Sequence, residues 1–201
     1  MSYRPITDVW ILARPKVKYY GAYPAGFLHR ARALLGVGEM DPVLHVCGGK
    51  VRDYPFRGFG PNDKTLDLDP ACNPDFLRDA REPFPLNCRD ADHPPCRATE
   101  PALLHAPWAA VLIDRPYTVE DAAHYVPGPS VLPTANQLVR QGIAVVPVGG
   151  KVGMLDFTWP QPPKNVNQTD FKIGTLPIYL MASLHRLLVC STICAKRLPH
   201  C

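Results

Sequence analysis

The chain has 201 residues, 46% of them hydrophobic and 20% charged, with a formal net charge of +4. That balance excludes a disordered chain, which needs fewer apolar residues and more charge of one sign, and fits a single globular α/β domain over 1–201. No apolar run approaches the roughly 20 residues of a membrane helix, and an odd count of seven cysteines argues against a complete disulfide framework.

Residues 1–24 mix prolines, basic residues and aromatic rings: Arg14, Lys16 and Lys18, then Tyr19, Tyr20 and Tyr23. They read as an irregular arm packed on the domain by its rings, or as a surface on which bases stack. Gly26 to Leu35 has helical spacing, with Phe27, Ala31, Leu34 and Leu35 on one face and Gly36 and Gly38 as stops. The arm and this helix fill 1–40. Pro42 to Cys47 reads as a buried strand running into Gly48-Gly49. Lys64 to Leu68 is a second strand with Asp67 and Asp69 at its end, and Asp75 to Ala80 a brief third strand or turn carrying Asp79.

The Pro- and Cys-rich stretch 86–107 has little periodicity and reads as an insertion. Trp108 to Ile113 is a fourth strand, apolar on both faces, ending on Asp114-Arg115-Pro116-Tyr117. Glu120 and Asp121 suit the first turn of a short helix. Thr134 to Val145 is amphipathic, with Leu138 and Ile143 inward, and Gly150 to Phe157 is a fifth strand. Two strands close the chain near 175–180 and 187–195, with His185-Arg186 in the turn between them and Cys190 and Cys194 on one face. Alternating helices and near-continuous apolar strands predict a mostly parallel sheet covered on both sides.

Ligands in such sheets bind beyond the carboxyl ends of the strands. Gly48-Gly49, Asp67 and Asp69, Asp79, and Asp114 all stand at strand ends and are expected to converge. Paired glycines let a ligand approach the backbone, an acid after the second strand suits a ribose diol, and one after the third suits an adenine amine. Cys72, Cys88, His93 and Cys96, with Asp90 and Asp92 nearby, match no common zinc spacing, so no metal is expected.

On these residues the sequence resembles class I S-adenosylmethionine-dependent methyltransferases, in particular phage- and prophage-type adenine-specific DNA enzymes that carry D-P-P-Y. The matching pieces are LHVCGGKV, TLDLDP, PDFLRDA, AVLIDRPYT and VPVGGKVGMLDF, covering about residues 40–196. The resemblance implies a Rossmann-like fold, a mostly parallel seven-stranded sheet with an antiparallel last strand. It implies S-adenosylmethionine as cofactor and a methyl group moved to an amine, adenine N6 in DNA above others. A small-molecule or RNA acceptor, or a catalytically impaired scaffold of the same fold, are the alternatives.

Carried over residue by residue, His45, Cys47, Gly48 and Gly49 would line the methionine part of the cofactor. Asp69 or Asp67 would take the ribose and Asp79 the adenine. Asp114, Pro116 and Tyr117 would hold the accepting amine, with Arg115 and Thr118 on the substrate side. An aromatic amine is a poor nucleophile because its lone pair is delocalised. A carboxylate accepting its N–H, beside a rigid turn and a stacking Tyr, favours a directed lone pair.

The sequence departs from the family in three places. Arg115 replaces the first proline of D-P-P-Y and is able to pair with Asp114, bind a phosphate or reach a substrate carboxylate. The span 49–64 is too rich in Pro and Gly for the usual first helix. His45 and Cys47 stand where an acid usually precedes the glycines. With no signal-peptide pattern at Met1, a cytoplasmic, reducing location is expected.

Overall fold

The computed structural model describes Tyr23 and residues 25–86, 108–123, 132–147 and 149–156, plus the backbone of strands over 176–180 and 183–191. The arm before Tyr23, the stretch with Cys88, His93 and Cys96, Cys194 and the end of the chain lie outside the described residues.

Helix α1 (Phe27–Leu35) starts after Gly26 and stops at Gly36, both left-handed. The Gly36 and Val37 N–H groups close its last turn on the Ala33 and Arg32 carbonyls, the usual way orphan carbonyls are satisfied at a helix end. Strand β1 (Val43–Val46) follows, then β2 (Lys64–Asp67), β3 (Phe76–Leu77) and β4 (Ala110–Ile113). Helices α2 (Val119–Ala123) and α3 (Ala135–Val145) lead to β5 (Lys151–Asp156). The Thr134 side chain caps α3 by accepting from the Gln137 N–H.

These strands lie side by side in the order β3-β2-β1-β4-β5, every pair parallel. Every residue of β1 and β4 is buried, because both faces of the sheet are covered. On one face α1 packs Phe27, Ala31 and Leu35 against Val43, Ala110, Leu112 and Leu155. On the other, Leu138 and Val139 of α3 meet Val111, Val152 and Met154. Gly142 permits that approach, since a Cβ there would stand 2.9 Å from a Val152 methyl. Ile143, expected inward, is partly buried against the same cluster.

Backbone pairings extend the sheet with β6 (Leu176–Leu180) and β7 (Ser183–Ser191), and β7 runs antiparallel to both β5 and β6. The expected turn at His185-Arg186 is corrected here. Both residues lie within β7, where Arg186 is in register with Asp156 and with Pro177. A polar His-Arg pair looks like a turn in sequence, yet the ladder continues through it.

One buried carboxylate ties α1 to the sheet. Asp63 takes both oxygens to Arg32 Nη1 at 2.9 and 2.8 Å and also accepts from the Val43 and Gly60 N–H groups. His45 Nε2 lies 3.0 Å from the same carboxylate. Arg32 Nη2 holds the carbonyls of Gly38, Glu39 and Asp41. Arg32 is a charged residue on the buried side of α1, and its guanidinium closes the loop before β1.

Candidate active site

Parallel register brings the carboxyl ends of β1, β2, β3 and β4 level. The Cys47 N–H bonds the Leu66 carbonyl at 2.8 Å, and the Asp114 N–H bonds Val46 at 3.0 Å. The Arg78 N–H bonds Asp67 at 3.1 Å. Cys47, Asp67 and Asp114 therefore stand on one rim.

Cys47 has φ 55 and Gly49 φ 54, both left-handed. A Cβ on Gly49 would meet nothing within 4 Å, whereas one on Gly48 would press Val51 at 3.2 Å and the His45 Cβ at 3.3 Å. Gly48 thus packs inward and Gly49 faces open space. The glycines lead into a 3₁₀ turn, Val51–Asp53, rather than a long helix, as the Pro- and Gly-rich composition predicts. Left-handed φ is strained for a non-glycine residue such as Cys47, a feature that gathers at functional loops. Burial, then Asp67 and Asp114, push the Cys47 thiol up, so it stays protonated.

The structure separates the two acids that alternation leaves equivalent. β2 ends at Asp67, so the pleat does not run on to Asp69. Asp67 is 8% exposed; its Oδ2 accepts from the Gly49 N–H at 2.9 Å and Oδ1 from Asp69 at 3.0 Å. Burial raises its pKa against the lowering effect of those backbone bonds. Asp69 instead caps the 3₁₀ turn Pro70–Cys72, accepting from the Ala71 N–H at 2.8 Å and facing the Cys72 Sγ at 3.4 Å. The carboxylate joined to the glycine loop is Asp67.

At the end of β4 the Tyr117 hydroxyl donates to Asp114 Oδ1 at 2.8 Å. Asp114 is pushed up to about 7, chiefly by burial and further by Asp156, while the Tyr117 bond holds it down. Tyr117 is itself pushed far above its usual range by burial and by Asp114. The pair is thus a half-buried carboxylate with one oxygen fixed by a phenol that stays protonated.

The other expected site residues are each held by partners of their own. The Arg115 guanidinium pairs with Asp156 at the end of β5, Nε to Oδ2 at 2.7 Å, and is 9% exposed. It neither pairs with Asp114 nor faces outward; its Nη1 reaches the Pro116 carbonyl at 3.3 Å. His45 is 1% exposed, its ring turned into the core between Asp63 and Phe59. The Asp79 carboxylate is clasped by Arg81 through Nε at 3.0 and 2.9 Å. Its pKa is lowered by that bond. Thr118 Oγ1 caps α2 by accepting from the Asp121 N–H at 3.1 Å.

Sequence reasoning missed two residues here. Asp156 ends its strand on an acid, the same signal that marks Asp114. Tyr23, read only as part of an arm, buries its hydroxyl near Asp114, Cys47 and Asp67 with no hydrogen-bond partner among the described residues. Among the described residues no group of three His, Cys, Asp or Glu is placed to hold a metal, and no helix is long and apolar enough to cross a membrane.

No family model and no curated protein matches the chain. Among solved structures, TrmN from Thermus thermophilus matches with a TM-score of 0.53 at 15% identity, over 86% of this chain and 50% of that one. The fold is the Rossmann-like methyltransferase fold. The chain spans about half the length of the TrmN chain. An rRNA methylase from Streptococcus thermophilus also matches, at 12% identity over 83% of this chain and 95% of that one, but its TM-score of 0.46 carries no argument.

Residues on the rim of this methyltransferase fold fit an adenosine-bearing ligand. Gly49 leaves space where a side chain would stand, and Asp67 offers desolvated acceptor oxygens beside it.

Proposed function

We propose that the protein is an S-adenosylmethionine-dependent methyltransferase acting on an exocyclic amine, with adenine N6 in DNA as the acceptor and RNA as the alternative polymer. The observation that carries this reading is the half-buried Asp114–Tyr117 pair on the same rim as Gly49 and Asp67. The likeness to TrmN supports the fold, and the net charge of +4 suits a nucleic-acid partner. The reading takes the chain as one cytoplasmic domain with a seven-stranded sheet, which the antiparallel pairing of β7 supports.

When bound, S-adenosylmethionine supplies an activated methyl group on its sulfonium. Asp67 accepts hydrogen bonds from the ribose hydroxyls, its lone pairs already aimed by Gly49 and Asp69. Gly49 gives the methionine end room, while Gly48 lets the loop close on Val51. Asp79, one residue beyond the Arg78–Asp67 backbone bond and fixed by Arg81, flanks the adenine end.

Ionised Asp114 accepts an N–H of the substrate amine, and Tyr117 holds that carboxylate in place. Pro116 stiffens the turn, so its carbonyl keeps one direction. Arg115 acts through Asp156: by fastening the turn to β5 it replaces the rigidity that a second proline would give. Thr118 anchors α2 behind the turn.

The test is calorimetry with S-adenosylmethionine and S-adenosylhomocysteine, then transfer of labelled methyl to DNA, RNA and small amines. Binding with transfer to DNA is expected. Cofactor binding with no transfer to any acceptor would favour the scaffold reading instead, and no binding would end the methyltransferase reading.

A further inference from the structure

Tyr23 is 2% exposed. Its ring stacks on Phe27 at 4.9 Å and 17° and meets the edge of Tyr54 at 6.5 Å and 90°. The first residue of α1 and the residue after the 3₁₀ turn therefore fix where the hydroxyl points. That hydroxyl is fully buried and has no hydrogen-bond partner among the described residues. A buried phenol nearly always finds a partner, and leaving one unmade costs the whole desolvation of the group.

The groups that bear on this hydroxyl identify the neighbourhood. Asp114 acts on it most strongly, then Cys47, Asp67 and Tyr54, and Tyr117 feels it in turn. Of these, Cys47, Asp67 and Asp114 are the tips of β1, β2 and β4. Burial and two carboxylates keep the phenol protonated, so it is a donor in search of an acceptor. Asp114 Oδ1 already receives Tyr117.

We propose that the Tyr23 hydroxyl is a second recognition group of the acceptor pocket, donating to a lone pair that lies beside the amine received by Asp114. Two groups then read two adjacent features of the substrate. Asp114 accepts a hydrogen bond from an N–H, and the Tyr23 hydroxyl donates one to an unprotonated ring nitrogen next to it. The substrate class is an aromatic amine of the form H₂N–C=N, such as N6 and N1 of adenine. An amine with no neighbouring ring nitrogen leaves Tyr23 unsatisfied and is rejected. The inference rests on the acceptor role proposed above for Asp114.

The test compares wild type with Tyr23→Phe, which removes only the hydroxyl. The probes are 2-aminopyrimidine and aniline, which share shape and amine but differ in the ring nitrogens. Both are uncharged at mildly alkaline pH, where Asp114 is ionised. Binding is followed by chemical-shift titration of the Asp114 and Cys47 amides. The preference for 2-aminopyrimidine over aniline should fall about tenfold in Tyr23→Phe, the scale of one hydrogen bond. The same variant should unfold at a higher temperature without ligand, because it deletes an unpaired buried hydroxyl. An unchanged preference, a wild type that does not discriminate, or a lower unfolding temperature would each overturn the proposal. Calorimetry with S-adenosylhomocysteine judges the methyltransferase reading separately: binding of that ligand with no discrimination between the amines sinks Tyr23 alone.

Discussion

Removing the hydroxyl of Tyr117 should make Asp114 harder to ionise. The phenol donates to Asp114 Oδ1 at 2.8 Å and is the group that lowers its pKa. A hydrogen bond to a charged group contributes about 1.5–3 kcal/mol, and about 1.4 kcal/mol corresponds to one pKa unit. Tyr117→Phe should therefore move Asp114 up by about 1–2 units from its starting value of about 7. Carbon-13 NMR of the aspartate carboxyls measures this directly and needs no substrate. Any methyl transfer should show the same limb, rising with pH through about 7 in wild type and later in the variant, because only the carboxylate accepts the amine proton. The sign for stability is opposite. The folded pKa lies above the unfolded one, so the folded state binds the extra proton between them. This group's contribution to stability is complete below its unfolded pKa and is lost as pH rises through about 7. An Asp114 that titrates near the ordinary carboxylate range, or that moves down in Tyr117→Phe, would refute the reasoning.

Other outcomes follow from the same contacts. Asp67→Ala should weaken S-adenosylhomocysteine binding by about 1–3 kcal/mol in calorimetry, and Asp69→Ala, which removes a cap, should weaken it less; the reverse order would return the ribose to Asp69. Arg32→Met leaves the Asp63 carboxylate buried without its guanidinium and should cost about 3–5 kcal/mol in denaturant unfolding. Arg115→Pro, which restores the family's proline, should destabilise the protein, since Asp156 loses its guanidinium partner; a variant at least as stable would show that proline alone supplies the rigidity.

Local chemistry made much of the sheet readable before the coordinates. Val43–Val46 and Ala110–Ile113 are buried on both faces, so their runs are apolar except at His45, and Thr134 announces α3 through its capping hydroxyl. Asp114 was readable because an acid after such a run has nowhere to go but the rim. What escaped depends on contacts distant in sequence. Arg115 finds Asp156 41 residues away, and no local pattern tells that guanidinium from one free to bind a phosphate. His45 was expected to line the cofactor beside the glycines, but Asp63, 18 residues on, draws its ring into the core. Asp67 and Asp69 alternate identically in sequence; only the end of the β2 ladder separates them. Tyr23 was hidden among other aromatics, since a ring that packs and a ring that points its hydroxyl at a site read alike.

The most direct measurement is calorimetric titration of S-adenosylhomocysteine into wild type, Asp67→Ala and Asp114→Ala. Saturable heat in wild type, weakened in Asp67→Ala and kept in Asp114→Ala, is the predicted pattern, because one acid faces the cofactor and the other the acceptor. Absence of heat from a folded wild-type protein, or equal loss in both variants, would contradict it.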